Sequence, residues 1–110
     1  MATINSLTVL EHIILTAILV LKQDAYGVSI NRKVRELAGK SIMYGSLYNV
    51  LDQLHKKGYV VRKVRTPAPG EGGHERILYT VTSYGLKALK ESQDLQAALW
   101  ASLPAFARKR

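Results

Sequence analysis

The sequence of 110 residues contains no cysteine, which excludes disulfide bonds, thiol catalysis and cysteine-based zinc sites. This suits a reducing compartment, and we predict a cytoplasmic location. Acidic residues are also scarce, because eight Asp and Glu stand against sixteen Lys and Arg and leave a net charge of +8. Such a balance is typical of a protein that binds a polyanion, with nucleic acid as the first candidate and an anionic membrane surface as the second. A basic protein without such a ligand is the alternative.

The sequence also lacks a hydrophobic run that could span a membrane. The apolar stretch at 7–21 is too short, contains Glu11 and His12, and follows no basic segment, so it predicts a helix of a water-soluble domain and no membrane partner. The three histidines fall on different predicted elements without ligand spacing, which argues against a metal site. No serine, histidine and acid occur in a catalytic context, so neither an enzyme nor a cofactor is predicted.

What is present is a succession of regular apolar patterns. Helical spacing predicts four helices, at 8–22, 26–38, 45–57 and from 83 to the proline at 104. Runs of β-branched residues predict strands at 59–65 and 77–82 around a loop rich in proline and glycine, and a short strand at 41–43. The predicted fold is α+β and mainly α. We expect one domain at 1–82 and a separate C-terminal helix with a basic tail at 83–110.

Three helices followed by a hairpin is the order of a winged helix-turn-helix domain, whose third helix lies in the major groove of DNA. In this chain the leucines of that helix share one face and polar side chains share the other. Asn and Gln can form paired hydrogen bonds with adenine, and Lys can reach guanine or a phosphate. The predicted DNA contacts are Asn49, Gln53 and Lys56 on the helix and Lys63, Arg65, His74 and Arg76 on the hairpin. An ordinary solvated face is the alternative for the helical residues.

The sequence resembles the PadR family of bacterial transcriptional regulators over most of its length. The matching segments are AYGVSI at 25–30, GSLYNVLDQLHKKGYV at 45–60 and GGHERILYTVTSYG at 72–85, followed by a C-terminal helix. The resemblance implies a homodimer joined through the last helix and often braced by the first. It also implies that Tyr48 lies at the DNA surface with Ser46 near the start of the helix, and we include Tyr44 in this surface.

The sequence departs from the family pattern at positions that would contact DNA. The family usually has proline at the position of Asn49 and commonly arginine at that of Gln53. Its wing tip is normally rich in arginine, whereas His74-Glu75-Arg76 is mixed in charge. These differences leave the expected fold unchanged and concern the operator sequence and the affinity of the wing.

The last predicted helix carries two apolar rows, whereas a surface helix needs only one to face its own core. One row contains Leu86, Leu89, Trp100 and Leu103, and the other contains Ala88, Leu95 and Leu99. A second copy of the chain is the simplest partner, and we predict a dimer interface at Leu95, Leu99, Trp100 and Leu103. Some proteins of the family bind flat aromatic compounds between these helices, so Gln93, Gln96 and Trp100 form a candidate effector pocket. An interface aromatic is the simpler role for Trp100.

The sequence therefore predicts a homodimeric, sequence-specific transcription factor that binds duplex DNA. Repression from a near-palindromic operator, with release by a small aromatic effector, is the expected mode. The alternative is a winged helix that binds another protein and has only non-specific affinity for nucleic acid.

Overall fold

A computed structural model describes residues 7–109. The helices are α1 (Val9–Leu21), α2 (Gly27–Ala38), α3 (Tyr44–Lys56), α4 (Ser83–Ala101) and α5 (Ala105–Arg108), and the strands are β1 (Val60–Arg65) and β2 (Arg76–Val81). A single 3-10 turn, Lys22–Asp24, follows α1. The α+β, mainly helical prediction is confirmed. The last helix ends earlier than predicted, at Ala101, and Pro104 serves as the N-cap of the short α5.

The core lies where α1, α2, α3 and the hairpin meet. Its fully or nearly fully buried large side chains are Ile14, Leu15, Ile18, Ile30, Val34, Leu47, Leu51, Leu54 and Val60. Each comes from the apolar stripe of its own element, and burial of one such side chain contributes about 1.5–3 kcal/mol. Residues 7–82, which we call the winged region, therefore supply almost all of one core within a single chain.

The hairpin is a two-stranded antiparallel ladder in which Val60 pairs with Val81 and Arg65 with Arg76. Its outer neighbour is the chain just before α2, because the Tyr79 amide donates to the Ala25 carbonyl at 2.8 Å. The predicted strand at 41–43 is wrong, since this segment joins no ladder. Its Ile42 carbonyl instead accepts a hydrogen bond from Asn31 Nδ2 at 2.8 Å, so a side chain of α2 holds the turn before α3.

The start of α1 is tied to the end of α3 through a buried carboxylate. Thr8 and Glu11 form a reciprocal capping box, and Glu11 is only 4% exposed. Its second oxygen, Oε2, lies 2.7 Å from Lys57 Nζ just beyond α3. Burial raises the pKa of Glu11, but the hydrogen bonds from Lys57 and Thr8 outweigh burial and hold the pKa below its ordinary value.

The first half of α4 packs on the winged region and the second half does not. Gly85, Ala88 and Ser92 are buried and Leu89 is half-buried. A Cβ at position 85 would overlap the Tyr59 carbonyl, so only glycine allows this close approach of helix and strand. The buried residues of α4 therefore all lie in its first half, although Leu86 in the same half is 51% exposed. No helix within residues 7–109 is long and apolar enough to cross a membrane.

Candidate nucleic-acid interface

The outer face of α3 is polar and exposed. The inward leucines fix the rotation of the helix, and this leaves Asn49, Gln53 and Lys56 in solvent. Lys56 Nζ lies 3.2 Å from Asp52 Oδ2, one turn earlier on the same helix. The three residues therefore form one surface, although the Asp52 carboxylate partly neutralises the charge of Lys56.

The flank of α3 that faces α2 carries two tyrosines. Tyr44 and Tyr48 are each about half exposed, and their rings stack with 6.4 Å between centroids. The Tyr48 hydroxyl lies directly over Gly27, where a Cβ would overlap it. Ser46 is exposed in the first turn of the helix. The glycine at the start of α2 thus allows Tyr48 to lie across both helices of the motif.

The outer face of the hairpin carries two of the three basic side chains of β1. Val60 and Tyr79 point to the core, so strand alternation directs Lys63 and Arg65 to the opposite face. Arg65 Nη2 lies 3.5 Å from Glu71 Oε1 in the loop, and both groups are about half exposed. The wing is consequently basic along its strand but partly neutralised at its tip.

A groove separates the hairpin from the start of α2. It encloses about 500 Å³ and is lined by Tyr26, Gly27, Val28, Tyr48, Gly73, His74, Glu75, Arg76 and Ile77. The Arg76 guanidinium lies over the Tyr26 ring at 4.3 Å from its centroid, which fixes the cation at one wall by a cation–π contact. The groove brings together three of the predicted DNA contacts, namely Tyr48, His74 and Arg76.

Three residues of this surface were not singled out by the sequence. Tyr26 and Gly27 belong to the AYGVSI segment, but only the packed structure shows that they support Arg76 and Tyr48. Arg62 bridges the wing and α3, since its Nη2 lies 3.2 Å from His55 Nδ1. Burial raises the pKa of the Tyr79 hydroxyl. The positive charge of Arg62, which pairs with Tyr79 across the two strands, partly offsets that rise.

The second predicted site lies on the far half of α4. Leu95, Leu99 and Trp100 are 41%, 59% and 58% exposed, whereas Leu103, which lies just beyond the end of α4, is half-buried. Gln93 and Gln96 are exposed beside them, and Gln96 Nε2 donates to Ser92 Oγ at 3.3 Å. One chain alone leaves this surface open to solvent, so the predictions of an interface and of an effector pocket concern what a second chain would cover.

Metal-binding side chains do not cluster in the part of the chain that the structure describes. Among residues 7–109, no group of three histidine, aspartate or glutamate side chains could hold a metal ion.

Comparisons with known proteins agree with this geometry. The model of the family described as "Transcriptional regulator PadR-like family" matches residues 14–91. A PadR-like transcription factor from Bacteroides fragilis is 26% identical, with 82% of each chain covered and a TM-score of 0.66. A PadR-like transcriptional regulator from Bacillus cereus shares the fold at 20% identity, with 93% of this chain and 94% of that chain covered and a TM-score of 0.72. The comparison with curated proteins finds no match.

Proposed function

This chain belongs to the PadR-like family of transcriptional regulators, and we propose that it acts by reading a specific duplex DNA sequence with α3. The observation that carries this proposal is that two surfaces suited to DNA lie side by side. The exposed Asn49 and Gln53 on α3 offer hydrogen bonds to base edges, and the basic strand β1 beside them offers Lys63 and Arg65 to phosphates. The net charge of +8 supports the same ligand.

The active form that we propose is a homodimer, with 1–82 as the DNA-binding region and 83–110 as the dimerising region. The support is the exposed apolar surface of Leu95, Leu99 and Trp100, which has the composition of an interface core. On α1, Val9, Leu19 and Val20 are exposed as well and would brace the pair. Two copies would place their α3 helices in successive major grooves, about 34 Å apart, so the operator would be nearly palindromic.

Repression is the regulatory sense that we propose, because a dimer seated on a promoter excludes other proteins from the same DNA. An aromatic effector bound by Gln93, Gln96 and Trp100 would change the spacing of the two α3 helices. It would release DNA only by binding the DNA-incompetent state more tightly. Trp100 is the single tryptophan of the chain, so its fluorescence reports this site directly. Fluorescence that does not change with a panel of aromatic acids and planar cations would contradict the pocket.

The experiment that tests DNA reading is a titration of the DNA upstream of the gene against a scrambled duplex of equal composition. It is run at two salt concentrations, because affinity from phosphate contacts falls steeply with salt. We expect a preference for the upstream DNA that survives at the higher salt. Equal binding that disappears with salt would contradict the proposal and favour a winged helix that binds a protein.

Two sets of variants separate base reading from charge. Lys63→Ala or Arg65→Ala should weaken binding to operator and scrambled DNA alike and lower the slope of log K against log salt by about one each. Asn49→Ala or Gln53→Ala should mainly reduce the preference for the operator, since these side chains are assigned to bases. Equal losses on both duplexes from the Asn49 and Gln53 variants would contradict that assignment.

A further inference from the structure

The start of α3 differs from the starts of α1 and α4. Those helices begin at Thr8 and Thr82, whose hydroxyls accept hydrogen bonds from the amides of Glu11 and Gly85 at 3.0 Å. The N-cap of α2, Tyr26, also lacks a side-chain cap bond, but its amide donates to Ser29 Oγ at 3.0 Å. The N-cap of α3 is Met43, whose side chain cannot cap the helix, and no side-chain hydrogen bond is made there. This position normally favours Ser, Thr, Asp or Asn, so α3 forgoes a stabilising contact.

The Met43 side chain does not make up for this loss by packing in the core. It is 79% exposed, although its main-chain carbonyl accepts the first helical hydrogen bond, from Leu47 at 2.9 Å. A single exposed apolar residue is ordinary on a protein surface. This one, however, replaces a cap at the leading end of the helix that carries Asn49 and Gln53, and in a helix-turn-helix motif the N-terminal residues of the recognition helix contact base edges.

We propose that Met43 is a specificity-determining residue that packs on the C5-methyl group of a thymine in each half of the operator. This inference rests on the proposed function. The thymine methyl is the apolar feature of the major groove, and an unbranched, polarizable thioether adapts well to such a group. The neighbouring Tyr44 is a poorer candidate for contact with the thymine methyl group, because its ring stacks on Tyr48 toward α2.

Deoxyuridine tests this proposal, since it removes only the methyl group from a thymine and leaves base pairing unchanged. The operator found by titration is resynthesised with each thymine of a half-site replaced in turn, and binding of the native protein and of Met43→Ala is compared. We expect the native protein to lose about fourfold in affinity at one thymine per half-site, the value of one buried methyl group. Met43→Ala should bind the thymine operator more weakly than the native protein does, and its affinity should not change when that thymine is replaced by deoxyuridine.

Two further variants control the experiment. Leu37→Ala removes another exposed apolar side chain, from α2, and should keep the full sensitivity to deoxyuridine. Tyr44→Ala removes a residue expected at the DNA surface and should weaken binding to every duplex, but the ratio between the thymine and deoxyuridine operators should stay the same. The assignment would be overturned if Met43→Ala still lost affinity on replacement of that thymine by deoxyuridine, or if Tyr44→Ala no longer did. It would also be overturned if the native protein lost affinity at none of the thymines. A native protein without any operator preference would instead overturn the proposed function, and the role of Met43 with it.

Discussion

Helices α3 and α4 each bury one part of their surface in their own chain and leave the other part in solvent, but what they expose is opposite in chemistry. The exposed face of α3 carries Asn49, Gln53 and Lys56, whereas the exposed half of α4 carries Leu99 and Trp100. Exposure alone therefore does not distinguish the two surfaces. Their chemistry does, because hydrogen-bonding groups suit base edges and apolar groups suit a protein partner.

The helix α1 connects the two surfaces. Its Glu11 carboxylate binds Lys57 at the end of α3, and its His12 Nδ1 lies 3.4 Å from Ser92 Oγ on α4. Through these two contacts α1 joins the end of α3 to α4 within one chain. The comparison of α3 with α4 can be tested by variants that affect the inner contacts of each helix, its outer contacts, or the link through α1.

The largest effect is expected from the inner face of α3. Leu51→Ala would leave a cavity in a fully buried site and should lower the free energy of unfolding by about 3 kcal/mol. Denaturation by urea, followed by circular dichroism, measures the loss. The matched variant Leu86→Ala truncates a leucine of α4 that is 51% exposed, and it should cost much less. Equal losses of unfolding free energy in the two variants would mean that Leu51 and Leu86 are packed alike.

The next effect concerns the inner face of α4. Gly85→Ala would press a methyl group onto the Tyr59 carbonyl, a main-chain atom that cannot swing aside. We expect a loss of about 2 kcal/mol in the free energy of unfolding, within the range for overpacked sites. Gly45→Ala is the control, since nothing lies within 4 Å of a Cβ at that helical position. It should leave stability unchanged or raise it by up to about 1 kcal/mol. An unaffected Gly85 variant would contradict the close approach of α4 to the hairpin.

The outer half of α4 should respond differently, because its partner is proposed to be a second chain. Leu99→Ala should hardly change the unfolding of the isolated chain. It should weaken dimerisation by about 1 kcal/mol for each of two copies, or roughly 30-fold in the dissociation constant. Sedimentation equilibrium measures this constant. Asn49→Ala on α3 is the control and should leave it unchanged. A Leu99 variant that dimerises normally would mean that the apolar half of α4 has another partner.

The residues that could be predicted from the sequence are those whose role depends on spacing along one element. The faces of α3 follow from the positions of Leu47, Leu51 and Leu54, and the capping box of Thr8 and Glu11 is visible as a pattern. Contacts between elements gave no such signal. The position of Tyr48 over Gly27 and the ion pair of Glu11 with Lys57 join residues far apart in the chain, so neither could be read from periodicity.

The predicted strand at 41–43 shows the converse limit. A short apolar segment such as Ser41-Ile42-Met43 fits a strand locally, but a strand also needs a neighbour with which to pair. The hairpin uses the Ala25 carbonyl at its edge, and Asn31 satisfies the Ile42 carbonyl instead. Local propensity was therefore overridden by tertiary context, since the segment pairs with no strand and a side chain of α2 satisfies its Ile42 carbonyl.

The smallest effect is expected at the link through α1. Glu11→Gln keeps the size and the capping acceptor for the Thr8 amide, since glutamine also serves in a capping box, but it removes the charge that faces Lys57. We expect a loss of about 1 kcal/mol in the free energy of unfolding at neutral pH, which is below the range for a charged hydrogen bond because Lys57 is partly exposed. Thermal and urea denaturation measure this change.

The pH dependence of that loss identifies its origin. The pKa of Glu11 is lowered in the folded chain, because the hydrogen bonds from Lys57 and Thr8 outweigh the burial that raises it. The stabilisation is therefore fully present above the ordinary carboxyl pKa and disappears as the pH falls through the lower folded value. The native protein and Glu11→Gln should converge in stability in acid. Glu36→Gln is the matched control, because its exposed pair with Lys33 also lowers a pKa but should contribute clearly less. Equal effects of the two variants would show that burial of the carboxylate adds nothing, and that α1 does not hold α3 through this contact.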